Sequence, residues 1–561
     1  MVCPIRHTQA VIALNWDAGH GHTPLPDCYD TAHQTHKSSL SPRLEERLNA
    51  QNDHALDLSR HPWLERLRRA PAGLWFWPLI LLATVARLYQ LTASAIWCDE
   101  GSSLVISQYS PEQIWMHAAH DVHPPLYYLI LHGWMALFGD GMFAIRSISA
   151  LPGIISVGLG IWLVQLVAGR TAAALGGLML ALLPIAVHYS QEIRMYPLMG
   201  MWLLGATLAL VYWVKNPQRN GFLVIYALLM AASFYTHYFT SLCVLAHWAY
   251  LALLRSNGNR LIQRPAWWLT NVAIVVLYIP WMPSLIDLVQ HLPELEAGND
   301  VGWIGAVTMG SLPSMVWQYL ILSDGFDLPV ALFISVPAVL AVIVAWVLFT
   351  DRSPLKLPSL LVIYCVLPLL MVFLISFKTP LLVDRYMMFS ALGLPLVLGI
   401  AAARLAAHSR PLAMVAVMVF VALQAVGLQR NYDVDDDQFD KMVDFVNQRY
   451  QAGDRIVVSD LFWYFGYLYY NTTGAEPLLY TPNKADGSTG RPTDYGFGNL
   501  VDEKADQLYV DTLQALPSDH QRVWLISGTG TTDDFASIPA QWRKVDQVVV
   551  GDTEARLYER P

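Results

Sequence analysis

Trp97-Cys98-Asp99-Glu100 and, further on, Asp121-Val122-His123-Pro124-Pro125-Leu126-Tyr127-Tyr128 lie in a stretch, residues 93–145, that holds five acids and no Lys or Arg. Lys and Arg collect in the cytoplasmic loops of membrane proteins. A loop without them, directly after the apolar run 73–92, is therefore expected on the far side of a membrane. ATP and nucleotide sugars are absent from that face. Carboxylate chemistry there calls for an activated substrate carried by the membrane itself.

The rest of the chain agrees with this placement. Its 561 residues are 55% hydrophobic and 14% charged, with a mean hydropathy of +0.37. Soluble domains carry about 25% charged residues. The net charge of −9 is concentrated at one end: from Arg430 onward there are 22 acids against 12 Lys and Arg. Nothing in this balance points to a nucleic-acid partner. Cysteines at 3, 28, 98, 243 and 365 suggest no disulfide framework, and Cys98 reads as a small residue rather than a nucleophile. Residues 1–70 are polar, His-rich and without the apolar core of a signal peptide. They are expected to be a disordered cytoplasmic tail, with the first span acting as an uncleaved anchor.

A helix needs roughly 20 apolar residues to cross a bilayer. Candidate spans fall near 73–92, 146–168, 171–189, 195–214, 221–236, 237–255, 266–285, 328–350, 357–377, 385–404 and 411–429. The segment 125–138 is too short and reads as re-entrant or interfacial. With eleven spans and the N-terminus inside, the cytoplasmic ends carry Arg170, Lys215, Arg219, Arg255, Arg260, Arg264, Arg352, Lys356, Arg404 and Arg410. A twelfth span at 125–138 would move Arg255, Arg260 and Arg264 outside, against the rule. The expectation is thus an α-helical polytopic membrane protein with a transmembrane region at 71–430, a first outer loop at 93–145 and a large outer loop at 286–327. An extracytoplasmic α/β domain follows at 431–561. In that domain an amphipathic helix near 438–446 precedes strands near 453–459, 522–527, 545–550 and 555–558, while 473–500 reads as loop.

Arg146, Arg194, Lys378, Arg385 and Arg430 break the charge rule, since all fall at outer span ends. Cations in such places commonly have anionic partners, and together they suggest a phosphate site. Planar guanidinium groups such as Arg194 can hold phosphate bidentately. Attack by an acceptor hydroxyl on a sugar carbon needs a carboxylate base, for which Asp99 is the candidate. Glu100 is placed to orient it, bind a metal or cap the following helix. Asp121 is a second carboxylate whose direction, with that of His123, is fixed by two stiff prolines. A divalent ion at Asp99, Glu100 and Asp121 stays open, although no spacing here is a metal signature. Further candidates for substrate contact lie in Tyr189-Ser190-Gln191-Glu192-Ile193-Arg194-Met195-Tyr196 and in Tyr235-Thr236-His237-Tyr238.

These motifs, with Ala144-Ile145-Arg146 and Asp384-Arg385-Tyr386, resemble bacterial family-39-type glycosyltransferases of the GT-C membrane fold. Relatives in that group are protein O-mannosyltransferases, lipid A aminoarabinose transferases and lipopolysaccharide galacturonosyltransferases. The resemblance implies transfer of a monosaccharide from a polyprenyl-phosphate donor to a lipid, glycan or protein acceptor. It places this chemistry on the outer face of a cell inner or plasma membrane, with inversion at the sugar carbon. It gives Asp99 the base role and Glu100 and Asp121 places beside it. His123, Tyr127, Arg146, Gln191, Glu192, Arg194, Tyr196, His237, Lys378 and Arg385 become donor- and acceptor-binding residues, and no cofactor is required. The loop 286–327 is too short for the extra β-trefoil of eukaryotic protein mannosyltransferases. Two other classes compete with this reading: a transporter or flippase for a lipid-linked sugar, and a receptor-like protein. Inverted repeats and mid-span charges would favour transport, but no repeat is visible and the charges sit at span ends.

Overall fold

A computed structural model describes residues 74–254, 260–291, 304–433, 438–484, 487–501, 505–517, 521–530, 532–535 and 537–561. The expected tail 1–70, Arg255 and part of the loop 286–327 lie outside these. Residues 76–561 form one compact unit.

Every expected apolar span contains a helix. In chain order the first eight are α1 (Phe76–Leu88), α2 (Cys98–Gln108), α3 (Pro111–Ala119), α4 (Leu126–Phe138), α5 (Met142–Ala168), α6 (Arg170–Ala181), α7 (Pro184–His188) and α8 (Tyr196–Lys215). Next come α9 (Gly221–Phe234), α10 (Thr240–Leu253), α11 (Pro265–Tyr278), α12 (Met282–Gln290), α13 (Ser311–Ile321) and α14 (Val330–Phe349). The bundle closes with α15 (Leu357–Ile375), α16 (Met388–Ala391), α17 (Gly393–His408) and α18 (Arg410–Tyr432). Among the described residues seven segments are long and apolar enough to cross a membrane: 142–168, 196–215, 265–290, 330–349, 357–375, 385–408 and 410–432. The protein is a membrane protein. At 13 residues, α4 is about 20 Å long, well short of a bilayer's ~30 Å core.

With little hydrophobic drive between helices in lipid, close backbone approach matters. It is visible where α6 crosses α17: a Cβ at Gly399 would lie 2.5 Å from the Cα of Gly176. Buried helix faces here are small or aliphatic, whereas α14 and α18 expose residues such as Val339, Val342, Met414 and Met418 to their surroundings.

The first loop is mostly helical, with α2, α3 and α4 between Ala95 and Gly139. Ser110 and Gln113 form a reciprocal capping box at the start of α3. After α18 come α19 (Phe439–Arg449), β1 (Arg455–Val458) and α20 (Leu461–Tyr470), then five more strands. These are β2 (Leu478–Tyr480), β3 (Tyr509–Val510), β4 (Arg522–Gly528), β5 (Arg543–Val550) and β6 (Thr553–Glu559). The sheet order is β3-β2-β1-β4-β6-β5, with β1 to β4 parallel and β6 antiparallel to both β4 and β5. The expected strands are present. The stretch 473–500 is not all loop, because it contains β2. This strand is only three residues long and gains its order from pairing with β1 and β3, a long-range effect no local pattern displays.

This α/β region rests directly on the first loop. A Cβ at Gly101 in α2 would lie 2.7 Å from the Phe465 carbonyl carbon in α20, so only glycine admits that contact. The Ile96 amide donates to the Tyr470 hydroxyl at 2.9 Å, and the Tyr469 hydroxyl donates to the Asp140 carbonyl at 3.1 Å. Further along, the Gly496 amide donates to the His120 carbonyl at 2.8 Å. The Asn499 side-chain Nδ2 donates to the His117 carbonyl at 2.7 Å. Both acid-bearing parts of the loop are therefore braced from one side. Cys98 packs here too, its sulfur 3.9 Å from the Leu461 carbonyl oxygen.

Candidate active site

Trp97 is extended and α2 begins at Cys98, which puts Asp99 and Glu100 in the first helical turn. Consecutive residues on a helix point about 100° apart, and these two acids meet different partners. Glu100 is fully buried and takes a two-pronged bond from Arg146, Nε to Oε1 at 3.0 Å and Nη2 to Oε2 at 2.7 Å. It also accepts the Ile193 amide at 2.8 Å. The remaining Arg146 donors reach the Leu91, Ser94 and Ala95 carbonyls. Every N–H of Arg146 is thereby engaged inside the protein. This placement differs from the expected phosphate contact, because a satisfied, buried guanidinium has no donor left to offer.

Asp99 is 7% exposed and faces two other arginines. Its Oδ2 stands 3.6 Å from Arg194 Nη2 and 3.6 Å from Arg385 Nη2, inside ion-pair range but longer than a hydrogen bond. Arg194 is anchored by donating to the Asp99 carbonyl at 3.0 Å and the Ser103 hydroxyl at 3.1 Å. Its Nη2 also reaches the Tyr196 hydroxyl at 3.4 Å, and its Nε is buried without a hydrogen-bond partner. The Arg385 guanidinium lies 5.7 Å from the ring centres of both Trp97 and Tyr386. Glu192 does not hold Arg194; its carboxylate pairs with His188 at 3.3 Å.

The second acid closes the far side. Asp121 accepts the Tyr128 hydroxyl at 2.8 Å and the Val122 amide at 2.7 Å, with His123 Nδ1 at 3.7 Å. Burial pushes its pKa up, but the contacts with His123 and Tyr128 outweigh this and leave it below the usual carboxylate value. Burial, against the pull of Asp121, holds the His123 pKa down. His237 lies in the turn between α9 and α10, its ring 5.4 Å from that of His123 and 5.2 Å from that of Tyr386. The Phe239 amide donates to His237 Nδ1 at 3.1 Å, so the neutral ring carries its proton on Nε2, which is buried without a partner. Burial first, then coupling to the neighbouring His123 ring and the charge of Arg194, depresses the His237 pKa well below its usual value.

Asp99, Asp121, His123, Arg194, Tyr196, His237 and Arg385 thus come together from five separated segments. Tyr127 does not join them directly. Its hydroxyl meets that of Ser149 at 3.0 Å, and Ser149 in turn donates to the Arg194 carbonyl at 3.0 Å, so it steadies the arginine's backbone. Gln191 turns away to the Arg87 and Tyr89 carbonyls. Lys378 is exposed on the turn after α15 and makes no side-chain contact with the cluster among the described residues. No group of three His, Cys, Asp or Glu that could hold a metal ion occurs among the described residues. Trp97, Tyr128 and Tyr386 belong to the site although none was singled out for a role. Their signal was position, each being within a few residues of a charged candidate.

Residues 122–283 match a family model described as dolichyl-phosphate-mannose-protein mannosyltransferase. The match includes His123, Arg194, Tyr196 and His237, and it stops short of Asp99 and Arg385. No curated protein matches the sequence. Among solved structures, ArnT from Cupriavidus metallidurans in the apo state superposes with a TM-score of 0.56 at 14% identity, over 86% of this chain and 97% of that one. The same protein bound to undecaprenyl phosphate gives 0.56 at 15% identity, over 87% and 98%. At this identity the likeness establishes the fold, which is GT-C. The family resemblance read from the motifs is met by a family model and by the fold alike.

Proposed function

We propose that this chain is a membrane glycosyltransferase that moves a monosaccharide from a polyprenyl-phosphate donor to an acceptor hydroxyl on the extracytoplasmic face. The observation that carries the proposal is the Asp99 carboxylate held between Arg194 and Arg385 in a nearly buried cluster. In this reading Asp99 removes the proton of the acceptor hydroxyl as its oxygen attacks the anomeric carbon. The bond from that carbon to the phosphate oxygen breaks, and polyprenyl phosphate leaves with one more negative charge. Arg194 and Arg385 meet that charge, a task suited to planar guanidinium groups that stay protonated. One displacement at one carbon inverts its configuration. Asp121, tied to Tyr128 and a backbone amide, orients His123 toward the same space. Glu100 and Arg146 fix the helical turn that carries Asp99. Support for the donor class comes from ArnT, which shares the fold and has been solved with undecaprenyl phosphate. The buried charges at one end of the helices favour catalysis over a transport path along them.

The test is turnover of the purified chain in nanodiscs with a panel of polyprenyl-phosphate sugars, beside undecaprenyl-phosphate affinity. Donor-dependent transfer that disappears in Asp99→Asn is expected. Binding of undecaprenyl phosphate with no turnover of any donor would return the protein to the transporter class.

A further inference from the structure

Behind Trp97 and Glu100 lies a second pocket of about 320 Å³, within the ~300–1,000 Å³ range of small-molecule sites. It is built by the segment after α1, the residues after α7 and the end of α18. Its wall is a chain of hydrogen bonds. Gln191 donates to the Tyr89 carbonyl at 2.7 Å, and Asn431 Nδ2 donates to Gln191 Oε1 at 2.7 Å. Asn431 Oδ1 is then left as an acceptor for His188 Nδ1–H at 2.9 Å. The other ring nitrogen of His188 stands 3.3 Å from Glu192 Oε1. With both nitrogens facing acceptors, His188 is an imidazolium and Glu192 its counter-ion. The chain ends there: Glu192 Oε2 is buried without a hydrogen-bond partner, and so is the indole N–H of Trp97, which lines the same pocket. Buried polar groups left unmatched are costly and call for an explanation.

We infer that this pocket binds a neutral, hydroxyl-rich ligand, a carbohydrate. Its identity as the acceptor glycan rests on the reaction proposed above. A sugar hydroxyl donates and accepts at once, which suits a lining of carboxamides from Gln90, Gln191 and Asn431, the Ser94 hydroxyl and the carboxylates of Glu192 and Asp433. A phosphate is disfavoured: Glu100, Glu192 and Asp433 line the pocket, and its guanidinium, Arg430, donates to the Ile321 carbonyl at 3.2 Å. A lipid tail is disfavoured by the same polar wall. Trp97 joins the two sites: it lines this pocket, and its ring lies 5.7 Å from the guanidinium of Arg385, which is 3.6 Å from Asp99.

The experiment uses the full chain in nanodiscs, with lactose, maltose and cellobiose as probes read by saturation-transfer NMR and undecaprenyl phosphate as competitor. Wild type is expected to bind at least one disaccharide, undisplaced by undecaprenyl phosphate. Glu192→Ala should weaken that binding on the order of tenfold, the loss of one charge-assisted hydrogen bond. Glu192→Gln keeps size and one acceptor oxygen and should fall between, which guards against a variant that merely misfolds. The inference is overturned if no disaccharide binds wild type, if Glu192→Gln and Glu192→Ala bind as wild type does, or if undecaprenyl phosphate displaces the sugar. Disaccharide binding without undecaprenyl-phosphate binding would support the carbohydrate pocket and refute the proposed donor.

Discussion

The Glu100–Arg146 region and the Asp99–Arg194–Arg385 region begin at adjacent residues and use the same chemistry, a buried carboxylate with guanidinium. They differ in how completely they are matched. Around Glu100 both carboxylate oxygens and all the Arg146 donors have partners at hydrogen-bond distance. Around Asp99 two guanidinium groups stand at 3.6 Å, and Arg194 Nε is buried with no partner. A closed pair holds a shape, since breaking it leaves an uncompensated charge in a dry interior. An incompletely matched one keeps hydrogen-bonding capacity for a ligand. Residue type alone would have assigned the two regions the same role.

The largest expected effect separates the regions by chemistry. Asp99→Asn should lower transfer by about 10²–10⁴-fold, the usual contribution of a general base, while the chain folds and still binds undecaprenyl phosphate. Full activity in that variant would move the base to Asp121. Next comes the closed pair. Arg146→Ala leaves Glu100 charged and buried, at a cost of about 3–5 kcal/mol, measurable as a lowered melting temperature and a poor folded yield. Joint replacement by Glu100→Leu and Arg146→Met should recover much of it. An Arg146→Ala protein as stable as wild type but weak in donor binding would erase the distinction.

A smaller effect is expected at the open region's arginine. Arg194→Ala should weaken undecaprenyl-phosphate binding by about one to two orders of magnitude, from a charge-assisted contact of roughly 1.5–3 kcal/mol. Arg194→Lys should recover only part, because a point charge cannot pair two oxygens at once. Unchanged affinity in Arg194→Ala would leave Arg385 as the phosphate ligand. The smallest effect is a pH dependence. His237 has a depressed pKa when folded, so the unfolded chain takes up its proton first as pH falls below about 6.5. Its stabilising neutrality is complete above that pH and is lost on acidification, by about 1 kcal/mol between pH 6.5 and 5.5. Melting temperatures across that range should fall less steeply in His237→Gln than in wild type.

Much of this arrangement was readable in advance. The apolar runs marked the seven described segments long enough to cross a membrane, because crossing a bilayer is a demand on one continuous stretch of chain. Asp99, Asp121, His123, Arg194, His237 and Arg385 stood out because polar groups beside apolar spans are costly there unless something holds them. The division of labour among them was not readable. Arg146 and Arg194 both sit near the loop-side start of an apolar helix, α5 and α8. Only the course of residues 91–95 around Arg146, carbonyls turned inward, decides that this arginine is engaged. Nor could the sequence show that β2 forms, that Gly101 makes room for α20, or that Asn431 joins Gln191 to His188.

By itself, then, the sequence determined where the apolar helices fall, the loop that gathers the acids and the residue types available to the site. Each of these depends on hydropathy or charge summed over neighbouring residues. Tertiary structure alone decided which carboxylate is closed off and which stays open, and where a second polar pocket forms. Those outcomes depend on whether donors and acceptors from distant segments arrive within about 3 Å of one another, and hydrogen bonding is steep enough with distance that a few tenths of an ångström separate a scaffold from a site.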